Sequence, residues 1–144
     1  YSKHQGRTTS DRNLQIKGVD RVVDGKYVDD KYIFGNYPKF FLEIKNPQFK
    51  HSGGVLDDDK LTDYIYWWEL LYCRLTIIDY KKLKEWYNEP IVKQLLPCYA
   101  RQTKGHSANG TLVVDIPWDV LEKSGVIVYR KKLELSDLNI IPHN

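Results

Sequence analysis

Methionine is absent from all 144 residues, and cysteine occurs only twice, at Cys73 and Cys98. Neither cysteine has a partner at metal-ligand spacing, so both are expected to be reduced, buried thiols in an intracellular (cytoplasmic) protein. No stretch reaches the roughly 18 apolar residues of a membrane-spanning helix. No secretory leader is visible at the start. His4, His51, His106 and His143 are scattered, and no pair has zinc spacing. Gly-rich phosphate loops, nucleophile elbows and Ser/His/Asp sets are missing too. The excess of one charge over the other is small: the net charge is +3, which permits an anionic partner without demanding one. The chain opens Tyr1-Ser2-Lys3-His4, so its natural start is expected to lie upstream.

What is present is a soluble, globular composition, 42% hydrophobic and 28% charged. Eleven Tyr and four Trp suit either a packed core or base stacking. Residues 1–144 read as one domain without repeats. Residues 1–13 read as a polar arm. Residues 14–23 and 27–33 read as a hairpin, and 40–45 as a third strand. Residues 48–60 form a loop carrying Asp57-Asp58-Asp59, which is expected to be solvated. A helix is expected from Leu61, because Ile65, Trp68, Leu71 and Tyr72 follow at helical spacing, with Asp63 in its first turn. Residues 74–78 read as a strand. Asp79 caps a helix over 80–87, Pro90 ends it, and 91–95 is a short helix. Further strands are expected at 111–116 and 126–128, with a helical start at 117–123. The fold class is α/β in the mixed α+β sense, a central mixed sheet flanked by helices.

One pair of residues carries chemistry. Asp24-Gly25 is a strong signal for a two-residue type I′ hairpin loop. Val23 then pairs with Lys26, and the same register places Asp20 opposite Asp29, with Cβ atoms about 4.5–5.5 Å apart. Facing carboxylates repel, which points to a cation between them. Alternation along the strands puts Lys31 on their face, opposite Gly18, whose missing side chain leaves room. Two carboxylates suit Mg²⁺ or Mn²⁺. Such an ion can hold a phosphate and activate a water, and a nearby Lys can stabilise the developing charge.

Asp20 followed by Asp29-Asp30-Lys31 resembles the PD-(D/E)xK (restriction-endonuclease-like) nuclease superfamily, over roughly residues 11–87. Gln15, five residues before Asp20, also resembles members in which a Gln precedes the metal-binding Asp. The resemblance implies an α-β-β-β-α-β core and a Mg²⁺- or Mn²⁺-dependent nuclease acting on DNA. It implies Asp20, Asp29 and Glu43 as metal ligands, with Lys31 and Gln15 completing the catalytic set. Phage and mobile-element systems use small proteins of this kind, and homodimers occur among them. Three departures stand. Val19 replaces the usual Pro, the family's first helix is not visible in residues 1–13, and Glu43-Ile44-Lys45 is a rival acidic-x-Lys tripeptide. Arg101, Lys104 and Lys17 are candidate nucleic-acid contacts, against the plainer reading of solvated surface. A nuclease-fold module that binds nucleic acid or a protein without turnover, and a structural subunit with a surface acidic pair, remain as alternatives.

Overall fold

The computed structural model describes residues 6–8, 12–44, 55–57, 59–102 and 112–140. Its first strand, β1 (Gly6–Thr8), precedes a short helix, α1 (Arg12–Ile16). The hairpin follows as β2 (Arg21–Val23) and β3 (Lys26–Ile33). Asp24 and Gly25 both have positive φ, 48° and 78°, which is the backbone of a type I′ turn. Val23 pairs with Lys26 and Arg21 with Val28, as the sequence register requires.

Two expectations about this region are corrected. Part of the supposed polar arm is a strand, since β1 pairs with β2. The first hairpin strand begins at Arg21 rather than near Leu14, because residues 12–16 are helical. Gly18, at φ 81°, ends that helix. Its N–H donates to the Gln15 carbonyl (3.0 Å) and the Val19 N–H to the Leu14 carbonyl (2.9 Å). That is a Schellman cap, with glycine in the left-handed position and buried Val19 following it.

The third strand, β4 (Phe40–Ile44), leaves the hairpin's sheet. Next comes β5 (Tyr64–Glu69), which is a strand where a helix is expected. It runs parallel to β3 and antiparallel to β6 (Arg74–Asp79). Its run Tyr64-Ile65-Tyr66-Trp67-Trp68 is β-branched and aromatic, which favours strand. A central strand buried on both faces loses period-2 alternation, so its apolar positions mimic helical spacing. Asp63 accordingly sits before a strand, where its carboxylate accepts the Tyr27 N–H at 2.8 Å.

The remaining elements follow the sequence closely, apart from an unexpected two-residue strand at Arg101–Gln102. Helix α2 (Tyr80–Tyr87) is capped by Asp79, whose side chain accepts the Lys82 N–H at 3.0 Å. Pro90 opens α3 (Pro90–Leu95). Then come β7 (Arg101–Gln102), β8 (Leu112–Ile116), α4 (Trp118–Lys123) and β9 (Ile127–Lys132). One sheet has the order β1-β2-β3-β5-β6-β9, antiparallel except at β3–β5, and the other is β4-β8-β7. The fold is therefore mixed α+β, with a mixed central sheet and a few helices. Among the described residues no helix is long and apolar enough to cross a membrane.

The small sheet packs onto one face of the large one. Phe40, Leu42 and Ile44 of β4 meet Ile65 and Trp67 of β5, Leu83 of α2 and Leu121 of α4. Trp67 is the hub: Phe40, Phe41 and Trp118 rings lie 4.7, 4.8 and 6.2 Å from it. Both cysteines are exposed, contrary to expectation. Cys73 stands at φ 49° in the surface bend between β5 and β6.

Truncating Trp67 removes a ring in contact with three others. Trp67→Ala is expected to cost about 3–5 kcal/mol, measured by equilibrium denaturation, and a loss below 1 kcal/mol would contradict this core.

Candidate functional site at the first hairpin

The Asp20–Asp29 juxtaposition arises where β2 gives out. The Asp20 N–H donates to the Val28 carbonyl at 2.8 Å. Its carboxylate accepts the Asp30 N–H at 2.8 Å, standing in for a strand carbonyl. This holds the Asp20 side chain against β3, where its carboxylate helps to raise the pKa of Asp29. The Lys31 ammonium lies 3.6 Å from Asp29, with side-chain exposures of 31% and 13%. Burial, offset by Lys31 and reinforced by Asp20 and Asp30, pushes the Asp29 carboxyl up from 3.8 to about 7. Two carboxyls and one ammonium thus form a compact cluster in which the Asp29 carboxyl favours its neutral form.

The other face of the hairpin holds a second set that sequence reading passed over. Arg21 grips Asp30 through two hydrogen bonds, Nε to Oδ2 at 2.5 Å and Nη2 to Oδ1 at 2.9 Å. Their side chains are only 3% and 4% exposed. The Trp68 indole N–H also donates to Asp30, at 2.8 Å, and the Arg21 guanidinium lies 4.8 Å over the Tyr66 ring. The signal was available: the register Arg21↔Val28 puts Arg21 and Asp30 diagonally across one face. The two adjacent acids of the tripeptide therefore have opposite surroundings, Asp29 beside Asp20 and Lys31, Asp30 in a buried ion pair.

Glu43 reaches the same region from the other sheet. With Lys31, Phe41, Leu42, Val55 and Trp67 it lines a small cavity between the sheets. Among the described residues, no group of three or more His, Cys, Asp and Glu is arranged to hold a metal ion, so the acidic cluster is Asp20 with Asp29. No protein-family model, no curated protein and no solved structure matches this chain.

The other predicted residues lie apart. Gln15 is on the exposed side of α1, and Lys17 is exposed just after it. Gly18 is not the gap beside the carboxylates. An added Cβ there would meet Thr62 Oγ1 at 2.4 Å, and that hydroxyl donates to the Gly18 carbonyl. The supposed opening faces the segment before β5, because the chain turns out of the strand at this glycine. Arg101 is bound by Asp115 through Nε and Nη2, both at 3.0 Å, and Nη2 also donates to the Tyr37 hydroxyl at 2.7 Å. Lys45, Lys104 and Asp58 lie outside the described residues.

Two measurements test these environments. Between about pH 4 and pH 7 folded Asp29 keeps a proton that the unfolded chain has released. Its contribution to stability therefore falls as pH rises through that window, and the whole penalty is present above it. Asp29→Asn should gain on the parent chain by on the order of 2–4 kcal/mol between those limits, read from denaturation midpoints. Asp30→Ala leaves the Arg21 charge buried and alone, and is expected to cost about 3–5 kcal/mol. A neutral outcome would mean that Arg21 is solvated.

Proposed function

We propose that the hairpin cluster is the centre of a metal-dependent nuclease that hydrolyses phosphodiester bonds in DNA. The observation that carries this reading is the buried Asp29 carboxyl held against Asp20 with Lys31 at 3.6 Å. Hard oxygen donors of this kind fit Mg²⁺ or Mn²⁺. Asp20 retains one carboxylate oxygen beyond the one that accepts the Asp30 N–H, and Asp29 offers two once its proton leaves. The ion, when bound, would supply a polarised phosphoryl oxygen and an activated water.

The protein's own residues prepare for that chemistry. Desolvation at Asp29 favours its neutral form, and a cation held by Asp20 and Asp29 would favour the carboxylate instead. Lys31 is held by Asp29 and remains partly exposed, so its ammonium can orient the attacking water or meet the negative charge that develops on the phosphoryl oxygens. Glu43, which lines the same small cavity as Lys31, would accept from that water. The restriction-endonuclease-like core belongs to this proposal. In its favour are the acidic hairpin, Lys31 two residues after Asp29, and the mixed sheet.

A second reading, a nuclease-fold module that binds nucleic acid or a protein partner without turnover, draws on a specific observation. Asp20 already serves the backbone of β3, and Glu43 does not complete a three-carboxylate cluster.

A cleavage assay with Mn²⁺ on duplex, single-stranded and branched DNA decides between them. Asp20→Ala and Asp29→Ala are expected to abolish cleavage, and Lys31→Ala to lower it by about 10²–10³-fold. Cleavage that persists at the parent rate in Asp29→Ala would place the chemistry elsewhere. DNA binding without cleavage in every metal would favour the module.

A further inference from the structure

Towards the other edge of the large sheet, on the face that bears Asp29 and Lys31, the like-charge problem recurs with the opposite sign. In the β6–β9 ladder Arg74 lies directly opposite Lys132. Cβ atoms so placed are about 4.5–5.5 Å apart, and like charges there destabilise the pair. Arg130, two residues before Lys132, shares their face. Its register partner is Thr76, whose Oγ1 its Nη1 reaches at 2.6 Å. The Arg130 guanidinium is held by Glu69 at 3.0 Å and by stacking 3.8 Å over the Trp118 ring. Burial and the neighbouring Arg74 charge both lower its pKa, while Glu69 and Glu122 oppose them.

Glu69 lies directly opposite Arg74 in the β5–β6 ladder, but its carboxylate is taken by Arg130 at 3.0 Å. Among the described residues neither Arg74 nor Lys132 forms a salt bridge, and the Arg74 guanidinium rests 5.7 Å over the Tyr72 ring. Lys131 belongs to the opposite face and bridges to Asp137 at 3.1 Å. Lys132 is exposed and Arg74 half-buried, so an incoming group can reach both.

We infer that Arg74 and Lys132, backed by Arg130, form a binding site for a phosphate group. A guanidinium fork grips two phosphate oxygens in parallel, and an ammonium supplies a point charge beside it. A phosphate bridging the two side chains turns a cross-strand repulsion into two attractions. The phosphate can belong to a nucleic-acid backbone or to a small phosphorylated molecule. The site stands apart from the Asp20–Asp29 cluster, on strands beyond β5, and its test reads binding rather than cleavage.

Lys132→Glu places opposite charges across the ladder, so this variant keeps or improves folding while removing the site. Arg74→Ala is the second variant. Thermal unfolding is followed with inorganic phosphate against sodium chloride of equal ionic strength. Binding of a DNA duplex of about 20 base pairs is titrated across a salt series. Phosphate is expected to raise the melting temperature of the parent chain by a few degrees and to leave both variants unmoved, with Lys132→Glu at least as stable as the parent. If the source is nucleic acid, the slope of log K against log salt falls by about 1 for Arg74→Ala. A phosphate response without DNA binding assigns the site to a small phosphorylated molecule. An equal phosphate response in all three chains, with an unchanged salt slope, overturns the inference.

Discussion

Parallel pairing of β3 with β5 is the constraint on which the rest depends. Parallel neighbours cannot be joined by a tight turn. The chain must therefore leave the sheet after β3 and rejoin it at β5. β4 lies in that connection, and it pairs with β8 to make the second sheet. The covered face is the one that bears Asp29 and Lys31, because Asp29 is beside Ile65 and Lys31 beside Trp67 in the ladder. Burial of the Asp29 carboxyl follows from the crossover, and so does the arrival of Glu43 at the cavity beside Lys31.

The two faces of the hairpin treat adjacent acids in different ways. Asp30 is satisfied by three hydrogen bonds from Arg21 and Trp68, an arrangement that leaves no buried charge alone. Asp29 faces another carboxyl and keeps a proton instead, with Lys31 as partial compensation. A buried group that titrates near neutral pH is a common mark of functional sites, because its charge is poised for exchange with a ligand. Structural pairing on one face and a carboxyl of raised pKa on the other make the hairpin both a support and the candidate centre.

Much of this was legible in the chain. Asp24-Gly25 set the turn and hence the facing acids, since both residues tolerate positive φ. Asp79 announced α2 through local capping chemistry, whereas Pro90, expected to end α2, opens α3. The strand at β5 was not legible, because aromatic residues buried on both faces produce a spacing that suits a helix as well. Gly18 was read as empty space beside the carboxylates, whereas it is the left-handed cap of α1 packed against Thr62. The Arg21–Asp30 pair was overlooked although its register was implied, since nothing local says which face of a hairpin will be buried.

By itself the sequence determined what nearest neighbours control: the hairpin register, the helix caps and the alternation that puts Asp29 and Lys31 on one face. These depend on φ preferences and hydrogen bonds a few residues apart. Only the tertiary structure decided that β3 pairs in parallel with β5, that β4 belongs to another sheet, and that Asp29 loses its water. Those outcomes depend on which apolar faces bury one another across long stretches of chain. A carboxyl's surroundings, and hence its proton, are set by that burial and not by its position in the sequence.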